Sequence, residues 1–144
     1  MLPFLILTSV PAQAEEPYRT SGMRVGFCAG ISTECYVAGL KLEYAWRRVA
    51  INVNMPLLPL WGGANLKLYP FDIREGEPRR ARPYAYGGVA GDIIFGFDET
   101  GAGVGVDVHM GENHAVIFQP SIGILHIDYW GPEPAVAMSL MAAF

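Results

Sequence analysis

The chain has 144 residues, of which 51% are hydrophobic and 17% charged, with a formal net charge of −4. Mean hydropathy is high for a water-soluble domain, at +0.24, yet no stretch reaches the ~18 consecutive apolar residues that a spanning helix needs. The modest negative charge leaves no basic footprint for nucleic acid, and 17 glycines with 11 prolines argue against a helical bundle.

Leu2 to Leu7 is an apolar run, and Ala12-Gln13-Ala14 has the small-x-small form of a cleavage site. Together they predict a secretory signal over residues 1–14, cut before Glu15, although the usual basic start is missing. Residues 15–22 then read as a short N-terminal periplasmic segment, and 23–144 as one β-barrel domain.

Side chains of a strand alternate between two faces, so period-2 patterning marks strands. Met23 to Ile31 sets Val25, Phe27 and Ala29 against Arg24, Gly26 and Cys28. Tyr36 to Trp46 sets Leu40, Leu42 and Tyr44 against Lys41 and Glu43. Arg48 to Met55 alternates Val49, Ile51, Val53 and Met55 with Ala50, Asn52 and Asn54. Trp61 to Pro70 opposes Ala64, Leu66 and Leu68 to Asn65, Lys67 and Tyr69. In Tyr84 to Phe95, Val89, Ile93 and Phe95 oppose Tyr84, Tyr86, Gly88 and Asp92. Gly103 to Met110 opposes Val104, Val106 and Val108 to Gly105, Asp107 and His109. In His114 to Asp128, Val116, Phe118, Ile122 and Ile124 lie opposite Gln119 and Ser121. Ala135 to Phe144 ends the series, with Val136, Met138, Leu140, Ala142 and Phe144 on one face.

Eight such segments predict an all-β fold, an eight-stranded antiparallel transmembrane β-barrel with its apolar face toward lipid. With both termini periplasmic, Arg47-Arg48 and Gly111-Glu112-Asn113 are tight inner turns, and residues 72–81 form a longer one. The outer loops are Ser32-Thr33-Glu34, Pro56 to Leu60, Asp98-Glu99-Thr100 and Tyr129 to Glu133.

This register points Arg24, Lys41, Glu43, Asn52, Asn54, Asn65, Lys67, Tyr69, Asp92, Asp107, His109, Gln119 and Ser121 into the lumen. Three cations there face three anions: Glu43, Asp92 and Asp107. Eight strands leave an interior just wide enough for side chains to fill, and unpaired buried charge is costly. A closed network of ion pairs and hydrogen bonds is the expectation. A narrow pore, or an acid–base site using Asp92, Asp107 and His109, is the alternative. Exchanging lipid-facing Val106 for Arg should cost about 2–4 kcal/mol, and Gly105→Ser on the lumen side far less.

Cys28 and Cys35 both face inward and lie equally far from an outer turn centred on Ile31-Ser32. Directly opposed on adjacent strands, they suit a disulfide in an oxidising envelope. A pair of buried thiols is the alternative. His109 and His114 are separated by a turn, and His126 lies on the face opposite His109, so no metal cluster and no cofactor are expected.

Several loose motifs now carry a resemblance: Asn65-Leu66-Lys67-Leu68-Tyr69-Pro70-Phe71, Arg82-Pro83-Tyr84 with Gly87-Gly88-Val89-Ala90-Gly91, Gly101 to Asp107, and the terminal Phe144. The chain resembles the small outer-membrane β-barrel proteins of the OmpA and OmpX type, within the outer membrane protein β-barrel domain group. The resemblance implies a monomer in the bacterial outer membrane, exported through the periplasm, with membrane lipid and lipopolysaccharide around it. It also implies that Phe144, after Val136, Met138, Leu140 and Ala142, is read by the barrel-assembly machinery.

The function implied is non-enzymatic, structural or surface-interacting. A narrower likeness offers an enzymatic alternative. Lipid A 3-O-deacylases are eight-stranded barrels with a His-x-Ser-Asn motif near the end of strand seven, where this chain has His126-Ile127-Asp128-Tyr129. His126 matches, but Asp128 and Tyr129 replace the serine and asparagine. An aspartate cannot serve a histidine base as the same acyl-accepting nucleophile. A minimal small-solute channel is the third reading.

Overall fold

The computed structural model describes residues 22–56, 61–71, 80–92, 96–111 and 115–144, with Tyr36 and Phe97 as backbone alone. The predicted signal, residues 15–21, most of the 72–81 connection, outer-loop residues 57–60 and residues 112–114 lie outside them.

Eight strands follow one another: β1 (Gly22–Ser32), β2 (Cys35–Trp46), β3 (Val49–Pro56), β4 (Trp61–Leu68), β5 (Ala81–Asp92), β6 (Gly96–Met110), β7 (Val116–Ile127) and β8 (Gly131–Ala143). Each pairs antiparallel with its sequence neighbours, and β1 pairs with β8 to close the barrel. The described residues contain no helix.

Alternation along each strand becomes inside and outside. In β3, Ala50, Asn52 and Asn54 are buried while Ile51, Val53 and Met55 are exposed. In β8, Ala135, Ala137, Ser139 and Met141 turn inward, and Val136, Met138 and Leu140 outward. The interior fits small residues against large ones. Ala45 and Ala50 face each other across the β2–β3 ladder and pack with Tyr69, Tyr84 and Tyr86. The rings of Tyr69 and Tyr84 meet edge to face with centroids 5.8 Å apart, a favourable aromatic geometry.

The two-residue turn at Arg47-Arg48 joins β2 to β3 as the sequence predicts, with Trp46 opposite Val49. Three other boundaries differ from the sequence reading. Asp98-Glu99-Thr100 is no loop: it lies within β6, where Thr100 opposes Val89 on one side and His126 on the other. Of the three, Glu99 turns inward and is buried, while Asp98 and Thr100 are exposed. Strand β5 begins at Ala81, three residues ahead of Tyr84.

The expected loop Tyr129 to Glu133 shrinks to a turn over residues 128–130, and β8 starts at Gly131. Pro132 and Pro134 are tolerated there for a structural reason. Over this stretch β8 pairs with β7 alone, because its β1 ladder starts only at Val136. A proline on an unpaired strand edge removes no ladder hydrogen bond.

The largest correction concerns the β1–β2 hairpin. Its turn is Thr33-Glu34, with Ser32 opposite Cys35, and is not centred on Ile31-Ser32. Both turn residues are buried rather than displayed outside. The tip bends into the barrel. Just behind it Val37 adopts φ 67°, a left-handed conformation that a β-branched residue rarely takes. Such a position persists only where its surroundings hold it.

Candidate functional site

The site is the barrel interior, and its polar side chains come from most strands of the wall. Near the end where β1 begins and β8 finishes, Arg24 on β1 forms ion pairs with Glu43 on β2 at 2.7 Å and Asp107 on β6 at 2.8 Å. The Tyr69 hydroxyl donates to the same Asp107 oxygen at 2.8 Å. Gln119 on β7 donates to Glu43 at 3.3 Å. Arg82 lies 3.7 Å from the centre of the Tyr69 ring and donates to the Arg47 carbonyl, which ties the β2–β3 turn to the interior.

A second cluster sits above the first and shares Glu43 with it. Lys67 on β4 pairs with Glu43 at 2.8 Å and with Glu34 at 3.2 Å. Lys41 on β2 pairs with Glu34 at 3.3 Å and donates to Ser139 at 3.3 Å. The Tyr84 hydroxyl donates to the other Glu34 oxygen at 3.1 Å, and Lys67 stands 4.0 Å over the Tyr84 ring. Burial works against the charged form of Glu34, but Lys67 and Lys41 outweigh it and hold the carboxyl at about 2, below its usual 4.5.

The hairpin tip caps this arrangement. The Thr33 carbonyl accepts from Asn54 at 2.7 Å and from Asn65 at 2.5 Å, and Asn65 also donates to Asn52 at 3.2 Å. The Glu34 backbone N–H donates to the Ser32 hydroxyl at 3.0 Å. Cys28 and Cys35 are disulfide-bonded with Cα atoms 5.8 Å apart. They are not directly opposed, since Cys28 faces Gly39 and Cys35 faces Ser32. One lies one residue from the turn and the other five, so the bridge spans the difference only because the tip curls inward.

All thirteen residues assigned to the lumen from sequence are buried. The ion-pair cluster nevertheless differs from the expected one. Asp92 sits at the end of β5, in register with Trp61 and Gly96, and Glu34 is a further anion among the cations, pairing with Lys41 and Lys67. His109 is buried near the end of β6. Sequence reasoning missed Glu34 by reading its turn as an outer loop. It also omitted Arg82, Tyr84 and Ser139 from the network. A signal was present in the cysteines, whose distances from a turn at Thr33-Glu34 are unequal and require an inward bend.

His126 is exposed on the outer face of β7, and Asp128 is exposed in the turn beyond it. Among the described residues no group of three or more His, Cys, Asp or Glu is placed to hold a metal ion. In these positions the interior residues hold one another: every carboxylate of the two clusters has a cationic partner. The fold and its interior define a closed eight-stranded antiparallel barrel whose inner face carries a buried network of ion pairs and hydrogen bonds. No family model, no curated protein and no solved structure matches the chain.

Proposed function

We propose that the protein is an integral barrel of a bacterial outer membrane, non-enzymatic, with a structural or surface-interacting role and a closed lumen. The observation that carries this reading is the inversion of polarity between the two faces of the wall. Among the described residues Arg24, Lys41, Lys67, Glu34, Glu43 and Asp107 pair inside, while Phe27, Ile51, Ile122, Ile124, Val136 and Leu140 are all more than half exposed. In water that distribution opposes the hydrophobic effect; in hydrocarbon it is the favourable one.

Aromatic residues near both rims add support. Tyr44, Trp46, Phe71 and Phe144 are exposed toward the end where β1 begins and β8 finishes, and Tyr129 and Trp130 toward the other. Tyr and Trp favour the membrane–water interface. Exposed Phe144 closes the alternating β8 pattern expected of a substrate of the barrel-assembly machinery. The apparent signal over residues 1–14 fits export, and lipopolysaccharide is the surrounding partner in this reading.

Fractionation tests it. Expressed with its N-terminal segment in a Gram-negative host, the protein should enter the outer-membrane fraction, resist carbonate extraction and migrate differently on gels before and after boiling. Planar-bilayer recordings should show no conductance steps. A monodisperse, folded monomer in buffer without detergent overturns the proposal.

A further inference from the structure

We propose that Lys41, Lys67 and Tyr84 form a seat for a small monocarboxylate, which the chain keeps filled with its own Glu34. The three donors stand on three different strands, β2, β4 and β5, so the seat belongs to the barrel wall. The group that fills it belongs to the turn. Both carboxylate oxygens are recognised: one lies 3.3 Å from Lys41 and 3.2 Å from Lys67, and the other accepts from the Tyr84 hydroxyl at 3.1 Å.

Wall contacts hold these donors independently of Glu34. Lys41 also donates to Ser139, and Lys67 is fixed by Glu43 at 2.8 Å and by the face of the Tyr84 ring. Withdrawing Glu34 therefore leaves the seat formed and its charge unbalanced. Glu43 would remain as the carboxylate paired with Lys67 while also serving Arg24. Buried cations short of a counterion demand an anion.

The tip acts as a tethered ligand. The disulfide to Cys28 and the two asparagine bonds to the Thr33 carbonyl hold Glu34 in place, and tethering gives a group a high effective concentration at its site. A free carboxylate enters only when the tethered one is gone. Beyond Cβ the glutamate side chain is a CH2–COO− group, whose heavy atoms are those of acetate. The seat lies inside the barrel, so it stands apart from the membrane reading.

The test compares the wild type with Glu34→Ala, both refolded from urea into detergent micelles, or into buffer should the chain prove water-soluble. Thermal midpoints are read in sodium acetate, sodium pivalate and sodium chloride at equal ionic strength and pH 7. The Glu34→Ala midpoint should rise in acetate by on the order of 3 °C over chloride, as ligand linkage to the folded state requires. Pivalate has the same charge but is too bulky for the vacated space, and should have no effect. The wild type should unfold alike in all three salts. Equal midpoints for Glu34→Ala in acetate and chloride overturn the seat, as does a pivalate shift matching acetate's or an equal acetate response in the wild type. If Glu34→Ala does not refold in chloride, refolding yield becomes the readout: recovery in acetate supports the seat, and no recovery overturns it.

Discussion

Glu34, in the turn between β1 and β2, lies 3.2 Å from Lys67 on β4 and is buried with it in the barrel interior. The pair joins an element that the strand pattern places outside to one that it places inside. Lys67 also holds Glu43 at 2.8 Å, so one ammonium links the hairpin tip to the deeper Arg24 cluster. The turn is thereby part of the lumen's charge balance and not an appendage to the wall.

Removing the Glu34 charge should accordingly be expensive. Glu34→Gln leaves Lys41 and Lys67 under-compensated in the interior, and breaking a buried pair on one side costs about 3–5 kcal/mol. Tyr84→Phe, which deletes a single hydroxyl donor to Glu34, should cost nearer ~1 kcal/mol. Urea unfolding of the folded protein measures both. Similar small losses for the two variants would contradict the ion-pair arrangement.

The same carboxylate sets a pH dependence. Its folded-state value of about 2 lies below its ordinary 4.5, so it binds a proton less readily in the folded chain than in the unfolded one. The stability it contributes is complete above pH 4.5 and is lost as pH falls toward 2. Unfolding free energy should therefore drop more steeply between these values in the wild type than in Glu34→Gln. Parallel pH profiles would remove Glu34 from the network.

Gly105 provides a packing test. A Cβ added there would meet the Tyr84 ring at 2.5 Å and the Pro120 carbonyl at 2.8 Å, whereas one at Gly87 meets only the Gly101 carbonyl at 3.8 Å. Gly105→Ala should cost about 1–3 kcal/mol through overpacking, and Gly87→Ala should lie within about 0.5 kcal/mol of the wild type. The sequence alone suggests that Gly105→Ser is mild, because the residue lies on the lumen side. The space beside it is taken by the Tyr84 ring. Comparing urea midpoints of the two alanine variants decides the matter.

Ile122 tests what covers the outside. It sits midway along β7, 62% exposed, beside Val104 on β6 and Val136 on β8. If lipid covers this face, Ile122→Arg costs about 2–4 kcal/mol near the bilayer midplane. In water an exposed position of this kind is nearly indifferent to charge. Folding free energy measured in lipid vesicles separates the two outcomes.

Much of the wall was legible without coordinates. Arg48 to Met55 and Ala135 to Phe144 alternate so regularly that their inward and outward residues follow from the pleat of a strand, which is set by adjacent residues alone. The misplaced boundaries at Asp98-Glu99-Thr100 and at Pro132 to Pro134 share one cause. Polarity and proline signal a loop only when neither flank is a strand edge facing a filled lumen or open space, and that depends on which strands are adjacent.

Local order thus determined the strands, their number and the two faces of the sheet. Tertiary structure alone decided which lumen residues meet. Arg24 and Asp107 are 83 positions apart, and their contact exists because closing β1 onto β8 brings side chains from opposite walls together across a narrow interior. The inward course of Thr33-Glu34 likewise rests on lysines from β2 and β4, asparagines from β3 and β4, and a cysteine on β1. No window of neighbouring residues contains all of these groups, so only the closed barrel could draw this turn into its interior.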